Sequence, residues 1–242
     1  MSESISYKQY SSSVVGFFKF LKNSKNYNEL LIKSIRVKKY KDLILMPISK
    51  IHLNDDFIIN KLSEWRNKNS KFFFQNKKTN FKKTKIWMKR NLLDVNDKIL
   101  FLVLEDGKNP VGHIGFANCL NKDMNFEIDN VIKGESNDNK NIFSEVLQEL
   151  INWANQTFYV NSFYLRVMQN NVRAINFYKK NNFKLFGDKI NKKNDPYQLM
   201  IFKEFIDKKK FILTAGPSIS QKEVYYVNDA VSTGWNNNAN YY

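Results

Sequence analysis

Apolar residues recur along this chain with two periods, near 3.6 and near 2, and the change from one to the other predicts its elements. Val14, Phe17, Phe18 and Leu21, then Leu30, Leu31 and Ile35, mark a basic, partly amphipathic stretch within residues 1–40. Compact structure is expected from Leu43, where Leu-Ile-Leu-Met-Pro-Ile (43–48) reads as a first strand. A helix over 55–66 puts Phe57, Ile58, Leu62 and Trp65 on one side. The lysine-rich stretch 71–85 leads to a second helix near 85–93 with Ile86, Trp87 and Leu92. The strand 99–105 meets Asp106-Gly107, a strong hairpin signal, and 110–118 is its return strand. A third antiparallel strand spans 125–133. Over 139–157, Phe143, Val146, Leu147, Leu150, Ile151 and Ala154 fall at helical spacing. Phe163, Leu165 and Val167 alternate as a strand, and 171–182 predicts a helix with Ala174, Phe177 and Tyr178 on one face. Two strands near 183–190 and 197–204, joined by a turn over 191–196, complete the pattern.

Composition narrows what such a chain can do. Its 242 residues suffice for one full core with material left over. The longest apolar run, 99–104, is far too short to span a bilayer, and residues 1–20 lack the apolar region of a secretory signal. Cys119 is the sole cysteine, which excludes an intrachain disulfide and suggests a reducing, cytoplasmic location. With His52 and His113 the only histidines, no zinc-type ligand set is expected and no metal is assigned. The net charge of +16 invites a nucleic-acid reading. Yet only five of the 39 basic residues are Arg, the side chain that leads specific base contacts. The lysines are also spread along the whole chain, so no nucleic-acid partner is expected. The excess charge instead suits an anionic cofactor and substrate.

The element order, together with Asn171-x-x-Ala174-x-x-Phe177-Tyr178 and an aromatic at Phe183, resembles the GNAT acyltransferases over roughly residues 43–204. The resemblance implies an α/β (α+β) fold: a mostly antiparallel mixed sheet of about seven strands flanked by helices, here with an N-terminal helical extension. It divides the chain into a basic extension (1–40), an acetyltransferase domain (41–206) and a further segment (207–242). It also implies acetyl-CoA as co-substrate, with Asn171 on the pantetheine arm, Phe177 beside it, and the Tyr178 hydroxyl protonating the departing thiolate. The chemistry asks for such a donor, because the thiolate leaves more easily with a proton in reach. In GNAT proteins the pyrophosphate lies over an (Arg/Gln)-x-x-Gly-x-(Gly/Ala) loop that opens a helix. The matching place here is Asp138-Asn139-Lys140-Asn141-Ile142-Phe143-Ser144. Asn141 and Phe143 replace the glycines. Asn tolerates left-handed backbone, whereas Phe143 is expected to narrow the approach to the phosphates, and Lys140 is the nearest cation. Lys140, Asn141, Ile142, Phe143 and Ser144 are therefore the candidate phosphate-side residues, with the backbone of Ile132 polarising the thioester carbonyl.

For the base, alternation along Phe126-Glu127-Ile128-Asp129-Asn130 puts Glu127 and Asp129 on one face. Two carboxylates buried together would lift one pKa towards neutrality. Glu127 is the first choice, since GNAT bases commonly lie on this strand, with Asp129 and His113 as alternatives. The run 110–118 followed by Phe126–Asp129 resembles the GNAT subgroup that acetylates amino-sugar nucleotides. That resemblance makes Trp65, Arg66, His113 and Asp129 the substrate-side candidates, with Arg66, Lys85 or Arg90 meeting a diphosphate. The expected activity is acetyl transfer to the amine of a nucleotide-linked amino sugar, a cell-surface glycan precursor. The alternative is a non-catalytic GNAT-like module. Residues 211–242 resemble the start of the DegT/StrS sugar aminotransferases. The chain ends before any Schiff-base lysine, so pyridoxal phosphate is not expected, and a homodimer or an association with an aminotransferase is the partner expectation.

Overall fold

A computed structural model of the chain describes residues 6–73, 77–135, 141–190 and 196–202, and six residues between 222 and 229. Two compact units result, 1–203 and 204–242, and the site lies in the first. Apart from those six residues, the aminotransferase-like stretch 211–242 falls outside the described residues, as do Lys140 and most of the turn 191–196.

Eight strands form one sheet: β1 (Ile35–Arg36), β2 (Leu43–Pro47), β3 (Ile99–Glu105), β4 (Asn109–Ala117), β5 (Asn125–Lys133), β6 (Ser162–Met168), β7 (Phe183–Ile190) and β8 (Tyr197–Phe202). Their order is β1-β2-β3-β4-β5-β6-β8-β7. Every neighbouring pair is antiparallel except β5 with β6. A parallel pair needs a crossover, and α5 (Ile142–Thr157) supplies it. Asp106 (φ 52°) and Gly107 (φ 66°) adopt the left-handed backbone that the β3–β4 turn demands.

Polar residues ahead of apolar runs start the helices. The Asp55 carboxylate accepts from the Ile58 amide to begin α3 (Asp56–Lys68), and Asn80 accepts from the Lys83 amide to begin α4 (Phe81–Trp87). A π-helical turn, Met88–Leu93, extends α4. Against one sheet face, Leu100, Leu102 and Leu104 of β3 and Ile132 of β5 pack with Ile58, Ile59, Leu62 and Trp65 of α3 and with Met88 and Leu92. The opposite face is aromatic: Phe101 meets Trp153 of α5 at 5.3 Å between ring centroids, and Phe126 meets Phe158 at 5.5 Å.

Two fold details depart from expectation. Phe57 is 57% exposed and Ile86 45%, while Ile59 takes the core position on α3, because the buried stripe is centred on Ile58, Ile59, Leu62 and Trp65. The sheet gains an eighth strand where Ile35–Arg36 pairs with β2. Residues 7–22 form α1, with α2 at Tyr27–Ile32, and both belong to the main compact unit. Phe17 and Phe18 of α1 pack edge-on against Phe158 at 5.5 and 5.7 Å. Lys22, only 3% exposed, donates to the carbonyls of Leu92 (2.8 Å) and Val95 (2.7 Å) at the end of the π-helical turn.

Candidate active site

The parallel ladder between β5 and β6 is short. It pairs Asn125, Phe126 and Glu127 with Ser162, Phe163 and Tyr164 and then stops, although both strands continue to Lys133 and Met168. Beyond Glu127 the strands diverge and leave a gap edged by backbone. Across β5 on the other side, β4 pairs Gly115 with Asp129 and His113 with Ile132. One residue on β4, Ile114, thus opposes two on β5, Asn130 and Val131, a bulge at Asn130, whose φ is 52°.

Glu127 lies at the apex of the gap and is 2% exposed. Its expected partner was Asp129, yet the structure gives it Arg166 of β6. The guanidinium donates from Nε to Oε1 at 2.6 Å and from Nη2 to Oε2 at 3.1 Å, a forked arrangement. Asn118 Nδ2 also donates to Oε2, and the Tyr164 hydroxyl reaches it at 3.5 Å. Both carboxylate oxygens therefore already accept strong donors. The picture of two repelling carboxylates is replaced by an ion pair.

Asp129 is less engaged. Its Oδ2 accepts from Asn130 Nδ2 at 2.6 Å, and it lies half-exposed on a small cavity lined also by Trp87, Asn91, Lys98 and Asn130. His113, opposite Ile132, is 4% exposed and its Nδ1 lies 2.6 Å from the Asn130 carbonyl. Burial pushes its pKa down to about 4 against the pull of that carbonyl, and the Arg66 charge adds to the shift. His113 is accordingly neutral at physiological pH. Trp65, expected on the acceptor wall, is instead fully buried: its indole nitrogen donates to Glu135 Oε1 at 3.0 Å. Its ring lies so close to Gly134 that a Cβ there would fall 2.1 Å from Trp65 Cε2. The tryptophan at the cavity is Trp87. Arg66 is half-buried with its guanidinium 3.5 Å from the centroid of the Phe73 ring. Burial lowers its pKa and the Asp129 charge opposes that shift, but an arginine stays cationic.

On the cofactor side, Asn171 caps α6 (Val172–Lys180), its Oδ1 accepting from the Ala174 amide at 3.1 Å. Tyr178 is 8% exposed, with its ring against Phe177 (5.3 Å) and Phe183 (5.7 Å). Burial, reinforced by the Asp129 charge, raises its pKa well above the usual phenol range, so the hydroxyl keeps its proton. Asn141 is the N-cap residue of α5. Phe143 is 6% exposed, and its ring fills the space over Gly112, where a Cβ would come within 2.5 Å of Cζ. The ring points into the core, so the expected obstruction of the phosphate approach does not arise from it. Ile142 and Ile132 are also buried, which leaves only their backbone for a ligand. Ser144 Oγ accepts from Asn181 Nδ2 at 3.2 Å and ties α5 to the end of α6.

Sequence reasoning missed Arg166, Asn118, Trp87 and Asn91. Alternation along 162–168 places Tyr164 and Arg166 on one face, a usable signal for Arg166 alone. Among the described residues no His/Cys/Asp/Glu group could hold a metal, and no helix is long and apolar enough to cross a membrane.

A parallel strand pair whose ladder stops short beside a bulge sits at the centre of a sheet of mixed α/β architecture. The acetyltransferase (GNAT) family model matches residues 61–183, more than half of the chain, and the protein belongs to that family. Solved structures agree in fold. A probable acetyltransferase of the GNAT family from Chromobacterium violaceum is 14% identical over 70% of this chain and 85% of its own, with a TM-score of 0.56. Spermidine N-acetyltransferase from Vibrio cholerae, solved with CoA and spermine, is 19% identical over 66% of this chain and 95% of its own, with a TM-score of 0.54. AAC(6')-Ib, solved with ribostamycin and CoA, is 16% identical over 66% and 93%, with a TM-score of 0.55. No curated protein matches the chain.

Proposed function

We propose that this acetyltransferase moves acetyl from acetyl-CoA to the primary amine of an anionic acceptor, a nucleotide-linked amino sugar. The observation that carries the reaction is the β5–β6 ladder stopping after Glu127 and Tyr164, with Asp129 two residues further along β5 on the cavity and a protonated Tyr178 whose hydroxyl feels the Asp129 charge. Backbone groups along β5 would hold the pantetheine arm and polarise the thioester carbonyl, and Asn171 would meet the arm from the start of α6. The amides of Ile142 and Phe143 open α5, where the helix dipole favours a phosphate. Acetyl-CoA supplies the activated thioester. The acceptor enters through the cavity at Trp87, Asn91 and Lys98, Asp129 takes the ammonium proton directly or through water, and Tyr178 gives a proton to the departing sulfur. Glu127, already paired with Arg166, holds the apex of the gap instead of serving as base.

Charge supports the anionic acceptor. Between Glu64 and Asp94 the chain carries ten basic residues and no acidic one. That segment includes α4, whose end lines the cavity, and Arg66 with its stacked guanidinium. Such a wall repels polycations such as spermine or ribostamycin and draws in a diphosphate. An aromatic ring and an amide, Trp87 and Asn91, suit a sugar. The test is CoA-thiol release against UDP- and dTDP-amino sugars, with spermine and an aminoglycoside as comparators. Preferential acetylation of either polycation would overturn the acceptor assignment. The second reading, a non-catalytic module, is favoured by the absence of glycine from the stretch 138–143. It predicts no acetyl-CoA binding by calorimetry at millimolar ligand.

A further inference from the structure

We propose that His113 is the positioning residue of this site, its Nδ1–H holding the Asn130 carbonyl and thereby the β5 bulge that faces Asp129 and the strand's backbone towards the reaction. The consequence for catalysis rests on the acetyl-transfer reading; the geometry stands apart from it. In a regular strand, residues three apart point to opposite faces. Asp129 and Ile132 nevertheless pair with Gly115 and His113, two apart on β4, and so share a face. The bulge reconciles the two requirements: Ile132 packs into the core below α3 while Asp129 stays at the cavity.

The bulge has a cost. Ile114, Asn130 and Val131 have no register partner between β4 and β5, and the part-buried Asn130 carbonyl needs a donor to replace the lost ladder bond. The His113 ring supplies that donor at 2.6 Å. Because the partner is a carbonyl, Nδ1 must carry the proton, which fixes the tautomer of the neutral ring. Trp65, 5.9 Å away between ring centroids, packs beside it. The charged group that acts on it is Arg66 on α3, itself held near Asp129 of β5, with Lys61 and Glu135 at one remove around Trp65. Without the bond, relaxation of the bulge into regular register would turn residues on one side of it to the opposite face.

The test compares wild type with His113→Ala and His113→Asn, since the asparagine Nδ2 occupies the place of the histidine Nδ1. Hydrogen exchange should speed up about tenfold over 129–133 in His113→Ala, with 99–105 unchanged, and return close to wild type in His113→Asn. Acetyl-CoA affinity measured by calorimetry should fall about tenfold in the alanine variant and recover in the asparagine variant. Wild-type exchange in His113→Ala would overturn the proposal. So would an asparagine variant as labile as the alanine one, or a rise spread evenly over β3, β4 and β5, which marks packing alone. If wild type binds no acetyl-CoA, the acetyl-transfer reading fails, and the exchange pattern still decides the role of His113.

Discussion

Titration of His113 should make the fold acid-sensitive in a way that one substitution removes. In the unfolded chain its imidazole titrates near the ordinary value of about 6.5, whereas in the folded protein burial holds it at about 4. Between these values the unfolded state binds more protons than the native state, so stability rises with pH. The contribution is fully present above about pH 6.5 and is lost as pH falls towards 4. With these two values the loss is about 2 kcal/mol at pH 5 and about 3 kcal/mol at pH 4, relative to pH 8. His113→Asn keeps a donor for the Asn130 carbonyl but cannot titrate. Urea unfolding of both proteins at pH 7.5, 6, 5 and 4.5 should show the variant losing less stability on acidification, with the gap widening below pH 6. Carboxylates, and His52, whose pKa burial also lowers, contribute to both proteins and cancel in the difference. Parallel pH profiles would refute the reasoning, because they would mean that His113 charges in the native state as readily as in the unfolded one.

Four further outcomes follow from the same geometry. Tyr178→Phe should leave acetyl-CoA affinity nearly unchanged and lower turnover by about 10²-fold, as for a positioned acid; unaltered turnover would assign the ring to packing alone. Asp129→Asn should remove most turnover at little cost in melting temperature. Glu127→Gln, by contrast, should lower stability by about 2–4 kcal/mol through loss of the forked pair with Arg166; inactivity with full stability would return the base role to Glu127. Gly134→Ala should cost about 1–3 kcal/mol by driving a methyl into the Trp65 ring, measured by thermal melting, and an unshifted melting temperature would show that the contact yields easily.

The sequence by itself determined the elements wherever a local pattern decides them. Strands 99–105 and 125–133 were legible to the residue, and Asp106-Gly107 fixed the hairpin because both residues need left-handed backbone. The buried face of α5 followed from its spacing alone, with Val146, Leu147, Leu150 and Ile151 at 1% exposure or less. Only the tertiary structure decided what those elements bring together. Glu127 and Arg166 lie 39 residues apart, and their pairing depends on a parallel register set by the crossover through α5. The bulge at Asn130 changes the alternation of β5, which a period-2 reading of the strand cannot anticipate, and it is there that the His113 ring meets a backbone carbonyl. Trp65 and Trp87 look alike along the chain, yet one is sealed against Gly134 and the other lines the cavity, because helix packing on a twisted sheet chooses which ring is covered. Periodicity acts within a few residues and names the faces; register, bulge and packing act across the whole chain and assign the chemistry.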